Sequence, residues 1–276
     1  MLRELKRRIN SIKLMFVSEW KPSQYLSDYY SSVQPDEIAT IKFLVDQFRT
    51  YFHNKPKIQV LLEFGVGPTM HHIFAAVPYA NEIHMGDFLE VNLKEVRKWL
   101  DQDESAHNWD PFIRYTLQCE GTADPSEEDI EKRKQETRKK VKRLYLVDAS
   151  QENPGGPEYK EHYPVLMTCY CADSATRNMD EWQKYMQNII SMIKNGGTIV
   201  TSALYKTDGY RVGDKVFPSA KISEIEMANA LGLAFPIDKT TIIVKCLEGH
   251  DEQGYHGVLF AAAQNKHESK QIVSMA

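Results

Sequence analysis

Chemistry concentrates first at Glu63-Phe-Gly-Val-Gly-Pro-Thr69. This stretch closes an apolar run, Ile58–Phe64, and opens the segment Pro68–Val77, which reads as a helix. Glycine at 65 and 67 allows a tight turn and a close approach of backbone to a ligand. Pro68 suits a first helical position. The pattern lacks a third glycine, so it is not a full dinucleotide fingerprint. A ligand-free strand-to-helix turn would use the same residues. Asp87 changes the balance. It ends a second short strand, Glu82–Asp87, at the offset of about 20 residues where a carboxylate can accept hydrogen bonds from both hydroxyls of a ribose. Alone, it could equally cap the helix starting near Glu90. Loop and acid on consecutive strands together favour a nucleoside site.

Other reactive residue types are scattered. Tyr25, Tyr29 and Tyr30 cluster ahead of the first strand. Tyr25 and Tyr29 lie one helical turn apart and can share a face, which would aim Tyr30 elsewhere. Cys169 and Cys171 would face one side of a strand, but no His/Cys pair at zinc spacing accompanies them. Buried apolar packing is the stronger reading, and no metal site is expected. His71 and His72 follow the glycine loop, and His71 is read as a neighbour of the ligand rather than as a metal ligand. Gly-x-Ser-x-Gly and His-Glu-x-x-His are absent, which removes the common hydrolase routes.

The elements that must position these residues alternate. Asp36 reads as an N-cap, followed by Ile38, Ile41, Phe43, Leu44, Val45, Phe48 and Phe52 at helical spacing. Glu90–Leu100 reads as a helix, Lys142–Ala149 and Tyr163–Tyr170 as strands. Asp180–Lys194 reads as a helix stopped by Gly196–Gly197, then Thr198–Leu204 as a strand and Ile222–Leu231 as a helix. Thr240–Leu247 and Val258–Ala263 are strands with no helix between them, an antiparallel finish to a parallel sheet. Residues 103–140 form a polar insertion, and Glu127–Arg143 interleaves eight basic residues with five acidic ones, as a solvated helix does.

At 276 residues the chain is read as one α/β domain with a sizeable core. Lys+Arg 34 against Asp+Glu 38 gives a net charge of −4, which argues against nucleic acid as the main partner. No apolar run approaches the roughly 18 residues that span a bilayer. Four scattered cysteines suit a reducing cytoplasm rather than a disulfide scaffold. The basic start, with Arg3, Lys6, Arg7, Arg8 and Lys13, reads as a surface helix, with a targeting signal as the alternative.

Three stretches carry a resemblance. They are Trp20-Lys-Pro-Ser-Gln-Tyr-Leu-Ser-Asp-Tyr-Tyr30, Glu63-Phe-Gly-Val-Gly-Pro-Thr69 and Gly86-Asp-Phe-Leu-Glu-Val-Asn92. Trp99-Leu100, Asn108-Trp-Asp-Pro111, Asn195-Gly-Gly197 and Tyr210-Arg-Val-Gly213 continue it in order. The chain resembles the nicotinamide / phenylethanolamine / indolethylamine N-methyltransferase family over about residues 20–265. The resemblance implies a seven-stranded class I methyltransferase fold, Rossmann-like, with an antiparallel last strand. It implies S-adenosylmethionine as cofactor and a small-molecule amine as partner, and a monomer is expected. By matching position, Tyr25 and Tyr30 of a lid segment (about 15–35) close over the cofactor, and Gly65, Gly67 and Thr69 lie under its methionyl part. Asp87 is the implied ribose acid and Asn92 a further contact. Asp148 and Ala149 flank the adenine, Thr168 contacts the cofactor from the fourth strand, and His71 stands where some members carry tyrosine.

Departures fall at the acceptor. Glu63 replaces an aspartate, Ala203 stands where nicotinamide-type enzymes carry an acid, and Ala172 where the phenylethanolamine type has Glu. Candidate acids for the amine are Asp173, Asp208, Asp251 and Glu252, of which Asp173 and Asp251 are the expected catalytic pair with Tyr210. An O-, S- or heteroaromatic-nitrogen acceptor, or a silent cofactor-binding protein, stays open on these residues.

Overall fold

The computed structural model describes residues 12–247 and 254–264. The basic residues Arg3, Lys6, Arg7 and Arg8, and the acids Asp251 and Glu252, lie outside the described residues. A seven-stranded sheet runs in the order β3-β2-β1-β4-β5-β9-β8. Its strands are β1 (Ile58–Phe64), β2 (Ala80–Asp87), β3 (Val141–Leu146), β4 (Tyr163–Cys169), β5 (Ile193–Leu204), β8 (Thr240–Cys246) and β9 (Gly257–Gln264). Strands β1 to β5 pair in parallel, while β9 is antiparallel to both β5 and β8. The class I fold and its antiparallel finish are therefore as expected.

Alternate residues of the central strands feed two cores, one on each face. Leu61, Val165 and Met167 point into one, while Leu62, Phe64 and Leu166 point into the other. Burial on both faces is why these strands read as continuous apolar runs. Helix α3 (Pro35–Phe52) covers the first face with Ile41, Leu44 and Phe48. Helix α7 (Met179–Ile190) covers the second with Trp182, Met186 and Ile189. Helix α4 (Glu90–Leu100) follows β2, and α8 (Glu224–Gly232) precedes β8.

Three expectations are corrected. Pro68–Val77 is not an α-helix but a series of turns with one 3-10 stretch, His72–Ala75. Its backbone closes through i→i−3 bonds such as Ala76 N–H to Ile73 O at 2.9 Å, and residues 72–77 are all buried. The helix at 180 stops at Ile190, and Gly196–Gly197 lies inside β5. The β4–β5 register shifts there, and a Cβ on Gly197 would sit 2.8 Å from Lys194 O, so glycine fits the bulge. Asp36 is not the N-cap of α3; Gln34 is, and Asp36 sits buried in the first turn.

The polar insertion folds into α5 (Asp110–Glu120) and α6 (Glu127–Lys140). Ser126 and Asp129 form a capping box for α6. Its charges are solvated as expected, except Arg133, which is buried and donates to Glu120 and to Phe74 O. Helix α5 packs on α3 and buries Phe112, Ile113 and Thr116. A small hairpin, β6 (Gly209–Val212) and β7 (Lys215–Pro218), was not anticipated. Its signal was Val212-Gly213-Asp214-Lys215, a two-residue turn with Gly213 at φ 58°.

Residues 12–19 are helical (α1) and lead into α2 (Pro22–Tyr30). The hairpin braces this segment. Tyr29 donates to Arg211 O at 2.5 Å, and Gly213 N–H donates to Asp28 Oδ2 at 2.7 Å. Phe217 packs against Phe16 and Trp20, with ring centroids 5.0 and 5.3 Å apart.

Candidate active site

A cavity of about 1200 Å³, counting its open mouth, lies at the carboxyl ends of β1, β2 and β4. Sheet order reverses between β1 and β4, and open α/β sheets bind ligands at that switch point. The segment α1–α2 forms the opposite wall through Ile12, Phe16, Trp20, Tyr25 and Tyr30.

The glycine loop is built tightly. Gly65 has φ 74°, and a Cβ there would lie 2.1 Å from Cys171 Sγ. Only glycine meets both demands. Gly65 and Val66 N–H both donate to Gly86 O, which ties the loop to β2. Thr69 Oγ1 donates to Val66 O at 2.7 Å. Gly67 N–H donates to Asp87 Oδ2 at 2.8 Å, and Leu89 N–H to Asp87 Oδ1 at 2.8 Å. Asn92 Nδ2 also donates to Asp87 Oδ1, while its own Oδ1 accepts from Trp20 Nε1 at 2.8 Å. One hydrogen-bonded chain thus links the N-terminal wall to the buried acid. Burial raises the Asp87 carboxyl above its ordinary value, against those hydrogen bonds.

At one side, Asp148 and Ala149 line the cavity with Phe88, Leu89 and Val147. Asp148 accepts from Lys13 Nζ at 2.5 Å and from Ser150. Burial would raise Asp148, but Lys13 and Ser150 outweigh it and hold the carboxyl low.

At the other side stand aromatic rings. Tyr25, Tyr29, Tyr30, Tyr170, Tyr210 and Tyr255 all line the cavity. The Tyr25 and Tyr30 hydroxyls are 3.1 Å apart, so Tyr30 does not point away from Tyr25; the two phenols meet over the cavity. Tyr210 stacks on Phe217, which holds its ring in the wall. Burial pushes the phenols of Tyr25, Tyr30 and Tyr210 well up, so they act as neutral donors.

Two lining acids were missed: Asp36 and Glu37. Asp36 accepts from Tyr255 Oη at 2.6 Å, and its Oδ1 from Glu37 N–H. Glu37 Oε2 lies 2.9 Å from His71 Nε2 and 3.3 Å from His72 Nε2. Burial raises Glu37, but the two imidazoles outweigh it and hold the carboxyl far below its usual range. Burial brings His71 down to about 4, while contacts with Cys169 and Glu37 overcome burial and raise His72. The missed signal was a pair of acids on the sheet-facing side of α3, where an amphipathic helix should be apolar.

Three expected residues do not reach the cavity. His71 is buried behind Tyr30 and stacks on Trp109 at 5.2 Å and 13°. Thr168 is buried beneath a wall that Cys169, Tyr170 and Cys171 complete. Asp173 turns away, because its Oδ2 accepts from Leu204 N–H at 2.9 Å and its carbonyl from Ala220 N–H. It is a structural tie between two loops rather than a cavity acid. Asp208 is exposed and paired with Lys221, and Asp251 lies outside the described residues.

Comparison with known proteins decides the family. The model of the NNMT/PNMT/TEMT family matches residues 11–266. The chain belongs to this family. NNMT/PNMT/TEMT relatives include rabbit (Oryctolagus cuniculus) indolethylamine N-methyltransferase, 28% identical over 222 residues, which is 79% of this chain and 83% of that one. Human nicotinamide N-methyltransferase is 28% identical over 74% of this chain and 77% of its own. Pig (Sus scrofa) phenylethanolamine N-methyltransferase is 23% identical over 90% and 89%. In fold, the chain is similar to the N-methyltransferase NodS of Bradyrhizobium japonicum, at a TM-score of 0.50 and 11% identity, covering 93% of this chain and 97% of that one. As a member of the NNMT/PNMT/TEMT family, the chain is an S-adenosylmethionine-dependent N-methyltransferase. Among the described residues, no helix is long and apolar enough to cross a membrane.

Proposed function

We propose that the chain methylates the nitrogen of a small-molecule amine, with Asp36 and the surrounding tyrosines forming the acceptor end of the cavity. The carrying observation is the cavity's two chemistries. Asp87 and the glycine loop lie at one end, and two buried carboxylates, Asp36 and Glu37, lie with six tyrosines at the other.

The residues fit the cofactor. Asp87 offers carboxylate oxygens to ribose hydroxyls, Phe88, Val147 and Ala149 offer an apolar slot for a base, and Tyr25 and Tyr30 offer rings to a sulfonium. When bound, S-adenosylmethionine supplies an already activated methyl group. The chain then needs no nucleophile of its own. Burial pushes the Cys171 thiol far up, so it is a neutral packing group. The protein's work is to align the acceptor lone pair, exclude water and take up the amine's proton. Asp36, one of the two acids on that wall, would receive the proton, and the tyrosine rings favour a cationic product.

Relatives are named for indolethylamine, nicotinamide and phenylethanolamine. Those three and their hydroxyl isosteres form the first panel. Methyl transfer from labelled S-adenosylmethionine should reach amines and not the isosteric alcohols. Asp36→Asn should lower kcat/KM for an accepted amine at least about tenfold, as loss of a charged hydrogen bond does, and leave S-adenosylhomocysteine affinity unchanged. Transfer to alcohols, or full activity in Asp36→Asn, would count against the reading.

A further inference from the structure

We infer that Glu37, His71 and His72 form a binding site for a divalent transition-metal ion of the zinc class, with an open position toward the cavity. The inference is independent of which acceptor the enzyme uses.

The three side chains are buried, and one donor atom from each lies within 4.8 Å of the others. Glu37 Oε2 stands 2.9 Å from His71 Nε2 and 3.3 Å from His72 Nε2. Donor atoms around a tetrahedral ion with bonds of about 2.0 Å stand about 3.3 Å apart, close to both distances from Glu37 Oε2. Hydrogen bonding satisfies the cluster poorly. One carboxylate oxygen serves two imidazoles, and His71 Nδ1 has no hydrogen-bond partner. Unpaired buried nitrogens are costly, and a shared ion would use the lone pairs of both rings at once.

Support behind the site is also present. His72 Nδ1 lies 3.5 Å from Glu63 Oε1, the carboxylate-behind-histidine arrangement that aims the other nitrogen at a metal. Trp109 stacked on His71 fixes that ring. Glu37 and His72 line the cavity, so a fourth ligand can come from bound substrate or water, as at catalytic rather than closed sites. Two imidazoles and one carboxylate suit zinc, cobalt or iron(II) rather than magnesium or calcium.

The test uses the full chain, stripped with a chelator and titrated with Zn²⁺ against a competing indicator, then with Co²⁺ followed by its visible d–d bands. One ion per chain is expected, with the Co²⁺ bands of a low-symmetry site. His72→Asn and Glu37→Gln should each lower Zn²⁺ affinity at least about tenfold, and Glu63→Gln, which removes no ligand, by a similar factor. His162→Asn, remote from the cluster, should not change it. Circular dichroism separates lost binding from lost folding. If the variants do not fold, wild-type stoichiometry decides alone. Absence of stoichiometric binding, or affinity unaltered in folded His72→Asn and Glu37→Gln proteins, overturns the site.

Discussion

On the proposed reading, Asp87 is the residue on which the cavity's cofactor end depends. Its two oxygens hold Gly67, Leu89 and Asn92, and face the cavity as well. Asp87→Ala should weaken S-adenosylhomocysteine binding by about 1.5–3 kcal/mol, or roughly 10- to 150-fold, measured by calorimetry. Unchanged affinity would remove the ribose role. Asp173 makes a different prediction. Burial first, against bonds from Leu204 and Ser174, pushes its carboxyl up to about 6. A raised acid holds its proton longer in the folded state than in the unfolded chain. Its contribution is therefore full below about pH 4 and is lost as pH rises through 6. Asn keeps the acceptor for Leu204 and does not titrate. Urea denaturation across that range should show a flatter slope for Asp173→Asn; a slope equal to wild type contradicts it. Both acids show what single residues reveal in sequence. Asp87 was legible because a strand end and a glycine loop fix where its side chain must go. Asp36 and Asp173 were misjudged because an acid's direction depends on partners distant in sequence, Tyr255 and Leu204.

At the scale of elements, the N-terminal wall is held by a hairpin of eight strand residues. Phe217 joins Phe16, Trp20 and Tyr210 in one aromatic stack. Phe217→Ala should cost about 3–5 kcal/mol of stability, as buried Phe truncations do. Amide exchange should rise selectively in α1–α2, and S-adenosylhomocysteine binding should weaken. Uniform exchange changes would show that the hairpin does not brace this wall. Strands and most helices were legible because two-sided burial leaves apolar runs and helices leave a 3.6-residue period. The 68–77 segment misled for the same reason. It is buried on all sides, so periodicity carries no information about whether it coils as α-helix or 3-10 turns. Residues 103–140 read as polar because α6 is largely exposed, while Trp109 and Phe112, which back the site behind His71, are few among charges.

For the whole molecule, the sheet order places the glycine loop, Asp87 and the cysteine-rich end of β4 at one switch point. The N-terminal helices then close the cavity from outside the sheet, and α3 supplies acids from beneath. That division builds the two ends of the cavity from different elements, the glycine loop and Asp87 from the sheet, Asp36 and Glu37 from α3. The most direct measurement of the central claim is methyl transfer itself. The full chain is incubated with methyl-labelled S-adenosylmethionine and a small-metabolite extract, and labelled products are identified by mass spectrometry. The account predicts a labelled amine, lost with Asp87→Ala and reduced with Asp36→Asn. Label found only on hydroxyl or thiol products, or no transfer by a protein that binds S-adenosylhomocysteine, would contradict it.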